Sequence, residues 1–74
     1  MDLRVDTAGQ VKVMVFNIAG EEVVKLLDQY ENVGIYRVSW DGHNNRGALV
    51  GNACYFVVTV QPSGHMTRQV IVLK

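Results

Sequence analysis

Val11-Lys12-Val13-Met14-Val15-Phe16-Asn17-Ile18 alternates its side chains with a period of two. That period puts Val11, Val13 and Val15 on one face of an extended chain and Met14, Phe16 and Ile18 on the other. Apolar groups on both faces, rich in β-branched valine, predict a long strand in the middle of a sheet. On its N-terminal side Leu3 and Val5 alternate with Arg4 and Asp6 in a short strand, and Thr7-Ala8-Gly9-Gln10 reads as a turn. On its C-terminal side Asn17-Ile18-Ala19-Gly20-Glu21 puts Gly20 at the tip of a tight hairpin, and residues 22–28 return alongside. Val23, Val24, Leu26 and Leu27 also fit a short helix, but the run has no cap and two β-branched residues, so a strand is expected.

The same pattern continues to the end of the chain. Gln29-Tyr30-Glu31-Asn32-Val33 is a polar connection, and Gly34 opens an alternation of Tyr36, Val38 and Trp40 against Ile35, Arg37 and Ser39. Trp40 is expected to anchor one end of the core, so that Trp40→Ala costs about 3 to 5 kcal/mol. Residues 41–47 are dense in turn formers, residues 52–61 make a second long strand, and Pro62-Ser63-Gly64 closes a hairpin. In the last strand, residues 67–73, Val70 and Val72 oppose Ile71 and Leu73. Short strands at this spacing, with no helix between them, bury their apolar faces best as two packed sheets. The expected fold is all-β: an immunoglobulin-like or fibronectin-III-like β-sandwich of about seven antiparallel strands, built as one domain over residues 1–74.

Composition narrows the function. Of 74 residues, 49% are hydrophobic and 19% charged, which places the chain among folded rather than disordered sequences. Seven basic and seven acidic residues cancel, so nothing draws the chain to a nucleic-acid backbone, and no nucleic-acid partner is expected. The longest apolar runs, residues 54–60 and 70–73, fall far short of the roughly 20 residues of a spanning helix, so no membrane insertion is expected. The N-terminal residues have no secretory pattern, and any export signal is expected outside the sequence given. The single cysteine, Cys54, lies in an apolar run and is read as buried packing.

No catalytic, metal-binding or cofactor-binding set stands out. Asp41, His43 and Asn45 alternate like the first ligands of a calcium loop, but His43 stands where oxygen is needed and the glycine falls one residue late. The preferred reading is a turn in which Asp41 and Asn44 satisfy backbone amides. His43 and His65 lie in separate loops without zinc-like spacing, and Cys54 and Ser39 lie within strands with nothing to mark a strained nucleophile turn. Glu21 and Glu22 fall at a hairpin tip and read as solvated rather than as a paired acid and base. Tyr30, Tyr36, Tyr55 and Trp40 offer aromatic surface for a carbohydrate-binding accessory module of a secreted hydrolase, although strand placement of three of them favours the core.

Taken in order, Val11-Lys12-Val13-Met14-Val15-Phe16-Asn17-Ile18-Ala19-Gly20-Glu21-Glu22-Val23, then Gly34-Ile35-Tyr36-Arg37-Val38-Ser39-Trp40-Asp41-Gly42, then Tyr55-Phe56 and residues 68–74 resemble the FlgD Ig-like domain family. Trp40-Asp41-Gly42, Asn44-Asn45-Arg46-Gly47 and Val70-Ile71-Val72-Leu73-Lys74 are the most specific parts, and Gly20, Gly34, Trp40, Asp41, Gly42, Gly47 and Tyr55 form the structural motif. The family is named for the flagellar hook-capping protein, and similar domains resemble the C-terminal sorting domains of type IX secretion. The resemblance implies a non-catalytic module, the C-terminal fragment of a larger exported bacterial protein, found outside the cell or on its surface and serving sorting, anchoring or spacing. Its partners would be secretion or assembly machinery, with Arg68, Val70, Val72, Leu73 and Lys74 in the recognised strand. The alternative is a self-associating scaffold of the hook-cap type, with identical subunits as partners through edge-strand pairing. Two departures from the family pattern are Ala53, where glycine is usual and a positive φ would be strained, with Gly51 as the expected bend, and the lack of an Asn-Pro segment before the first strand.

Overall fold

The valine alternation of residues 11–15 becomes the inner face of a four-stranded sheet. In the computed structural model, which describes residues 2–73, six strands form: β1 (Asp2–Val5), β2 (Gly9–Phe16), β3 (Glu22–Glu31), β4 (Gly34–Arg37), β5 (Ala53–Gln61) and β6 (Gly64–Val72). Pairing is antiparallel throughout: β1 with β4 in one sheet, and β3-β2-β5-β6 in the other. Val11, Val13 and Val15 are 0% exposed, and Leu3 and Val5 from the small sheet join them, with Val38, Val50, Tyr55 and Val57, in a single core cluster. Burying each of these valines contributes about 1.5 to 3 kcal/mol, which is what holds the two sheets together.

The chain is all-β, with two antiparallel sheets, but it has six strands and not the expected seven. Residues 38–52 are where a further strand would have to form, and they contain only an isolated bridge between His43 and Leu49. Side-chain oxygens of Asp41 and Asn44 take backbone amides there, which competes with a sheet ladder. Strand limits also move. β2 begins at Gly9, inside the expected turn, and β3 continues through the expected polar connection to Glu31. β4 stops at Arg37, although Val38 is buried and Ser39 exposed as the alternation requires. β6 begins three residues before Thr67, at Gly64.

β3 carries two adjacent apolar pairs, Val23-Val24 and Leu26-Leu27, and all four side chains pack against the core. A regular strand would turn one of each pair outward. Register shifts at Val13/Met14 and Val15/Phe16 of β2 resolve the conflict, since β3 inserts Leu26 and Val23 as unpaired extra residues. Gly9 lies so close to Pro62, beside the β5–β6 turn, that a Cβ there would sit 2.5 Å from the proline Cγ. No non-glycine residue has a positive φ among the described residues; Ala53 enters β5 without strain, and Gly51 is not left-handed either.

Candidate functional site

The turn Pro62-Ser63 leads β5 directly into β6, and the two strands then pair from Gln61↔Gly64 to Ala53↔Val72 without a register shift. Residues opposite one another share a face. Met66, Arg68 and Val70 stand across from Thr59, Val57 and Tyr55, all buried, so those three β6 side chains project over the inner face of the large sheet. His65, Thr67, Gln69 and Ile71 project over the outer face, and Ile71 is 61% exposed. Because β6 ends the strand order, its far edge presents main-chain groups that no other described segment pairs.

Two strands cannot cover the inner face of four, and a cleft of about 360 Å³ remains between Val38, Ser39 and Trp40 on one side and Leu26, Val57, Arg68 and Val70 on the other. Trp40 is held in its wall twice. Its Nε1–H donates to the His43 carbonyl at 2.9 Å, and its ring meets Tyr55 edge to face at 5.3 Å. Arg68 is exposed at the cleft and makes no ion pair or side-chain hydrogen bond among the described residues. The opposite edge of the sheet is partly closed: the Asn45 N–H donates to the Val23 carbonyl of β3 at 3.1 Å, and β3 is bulged.

Of the residues singled out in the last strand, Arg68 and Val70 therefore meet at the cleft, Val72 is half-buried opposite Ala53, and Leu73 is exposed past the end of β6. Lys74 lies outside the described residues. The motif residues behave as turn and core elements. Gly20, Gly42 and Gly47 adopt φ of 82°, 82° and 79°, a region open to glycine. Gly34 starts β4, and Tyr55 donates its hydroxyl to the Gly51 carbonyl at 2.9 Å.

Residues 41–47 form hydrogen-bonded turns. Asp41 Oδ1 accepts the His43 amide at 3.1 Å, a bond that holds its carboxyl below the usual value of 3.8, with the His43 side chain adding to the effect. His43 Nδ1 is also 3.1 Å from that oxygen but off the hydrogen-bonding direction, leaving it without a hydrogen-bond partner among the described residues. Asn44 Oδ1 accepts the amides of Arg46 and Ala48. Nothing in the sequence reading matched this turn to the hairpin at Asn17, yet the two are the same structure. Asn17 Oδ1 accepts the amides of Ala19 and Glu21, and in each turn the Asn amide reaches the carbonyl four residues on while the glycine amide returns to the Asn carbonyl. The signal was present as Asn-x-x-Gly, at Asn17 to Gly20 and again at Asn44 to Gly47. Both turns border a polar cleft of about 410 Å³ that also touches Glu22 and Arg46.

The aromatic side chains do not share one surface. Tyr55 is buried, Trp40 is packed against it, Tyr36 donates to the Asn32 carbonyl, and Tyr30 stands exposed in β3 rather than in a connection. Cys54 is half-buried on the outer face across from Ile71, and so less enclosed than expected. Among the described residues no group of three or more His, Cys, Asp or Glu side chains is placed to hold a metal. Comparison with known proteins finds no family model, curated protein or solved structure that matches the chain.

Proposed function

We propose that this chain is a non-catalytic β-sandwich module of the FlgD Ig-like kind, carried by a secreted or cell-surface bacterial protein and serving sorting or anchoring through its last strand. The observation that carries the reading is the open, unbulged edge of β6 beside an uncovered cleft. Such an edge binds by strand addition, with main-chain hydrogen bonds providing affinity and alternate side chains providing specificity. The single core built from both sheets supports the sandwich assignment, with a second sheet smaller than an immunoglobulin domain has.

The test is export of a reporter carrying this chain at its C-terminus in a host with type IX secretion. Deleting residues 70–74 is expected to abolish export while circular dichroism shows that the shortened domain keeps its β structure. Export that continues unchanged contradicts the sorting role.

A second reading, the self-associating scaffold, is favoured by one feature. Met14, Phe16, Phe56, Val58, Val60 and Ile71 lie on the outer face of the large sheet, half-buried or exposed. A scaffold would cover that face with identical subunits, and its mass would rise with concentration.

A further inference from the structure

We infer that the β6 edge takes an extended peptide of another protein whose cleft-facing residues run apolar, acidic, apolar. The inference rests on the reading of β6 as a recognition strand and adds the chemistry of what it recognises.

Three observations define the partner. First, the β6 edge is unbulged and no other described segment pairs with it, whereas the β3 edge is bulged and tied to Asn45. Second, a strand laid along β6 places every other side chain on the same face as Met66, Arg68 and Val70, each directly across from one of them. The residue across from Val70 enters the apolar cleft beside Trp40, and the residue across from Met66 meets a second apolar side chain. Third, the residue between those two meets Arg68, a cation with no ion pair or side-chain hydrogen bond among the described residues. A carboxylate there gains an opposite-charge cross-strand pair, and a lysine there is repelled. The order apolar, acidic, apolar reads the same in both chain directions, so parallel and antiparallel addition share it.

A second β6 does not fit this description. β6 contains no carboxylate, and its charged or titratable side chains are His65 and Arg68. β3 carries Glu22, Asp28 and the buried Glu31, but its bulges and its bond to Asn45 remove the regular edge that pairing needs.

The probe is a short blocked peptide in which threonine alternates with valine, glutamate and valine, compared with the same peptide bearing lysine for glutamate. Binding to the whole domain is followed by emission of Trp40, the sole tryptophan, and by amide shifts in nitrogen–proton correlation spectra. The glutamate peptide is expected to bind saturably, to shift β6 amides, and to bind about tenfold more tightly than the lysine peptide. Arg68→Glu, an exposed substitution, is expected to invert the preference, and Arg46→Glu, on the loop side of the molecule, to leave it unchanged. Equal binding of both peptides at β6, or a preference that Arg68→Glu leaves intact, overturns the acidic assignment while strand addition itself stands. No β6 shift with either peptide overturns strand addition as well. If β6 amides shift with domain concentration alone, the occupant is a second copy and the peptide assignment fails.

Discussion

Asn17 and Asn44 each close a turn by accepting two backbone amides, and Gly20 and Gly47 complete those turns in the left-handed region. Replacing either asparagine by alanine is expected to cost about 1 kcal/mol from the lost bonds at exposed sites. Gly20→Ala or Gly47→Ala should cost about 1 to 2 kcal/mol, because a Cβ is disfavoured at that φ. Urea midpoints at unchanged slope check both. The glycines were legible in the sequence because glycine alone tolerates the conformation. The asparagines were only half so, because Asn44 stands in an obvious turn whereas Asn17 ends a run that reads as strand. Asp28 is held below its usual value, chiefly by the Gln10 amide at 2.7 Å and then by Lys25, as Asp41 is by the His43 amide. A carboxyl lowered by folding favours the fold above its unfolded value and loses that contribution as the pH falls through the folded one. Acid unfolding of the native domain should therefore begin below about pH 4, and Asp28→Asn should flatten that limb of the pH–stability curve.

Strands were legible where alternation is strict and blurred where it is not. In β2, Val11, Val13 and Val15 are fully buried while Met14 and Phe16 are half-buried, as a two-faced central strand requires. Val13→Ala should therefore cost about 2 to 3 kcal/mol and Met14→Ala distinctly less, read from thermal or urea unfolding. The paired apolar residues of β3 break a period of two, and only the bulges, which are set by pairing with β2, show how both members of each pair reach the core. β6 was read too short because His65 and Met66 continue no apolar alternation; pairing with Val60 and Thr59 recruits them. One test belongs to the sheet edge. Asn45→Pro removes the N–H that meets Val23, so the amides around Val23 should exchange faster with solvent while those of β5 keep their protection.

For the whole molecule, apolar periodicity and the absence of helix signals sufficed for an all-β chain in two antiparallel sheets. The number of strands was not legible, since it depends on whether residues 38–52 pair with a sheet or with their own side chains, and Asp41 and Asn44 settle that locally. Trp40 was placed correctly against the core, but it walls an open cleft and is only half-buried. Its replacement by alanine should cost about 2 to 3 kcal/mol, below the range for a fully buried tryptophan, and calorimetry distinguishes the two. The cleft itself had no sequence signature, because it arises where a two-stranded sheet meets a four-stranded one. A domain that offers β6 to a different protein should act as a single unit. The most direct test is the mass of the purified domain in solution across a concentration series, by light scattering coupled to size exclusion. The monomer mass of 8.3 kDa is expected throughout, and a defined oligomer that persists on dilution would contradict this in favour of the self-associating scaffold.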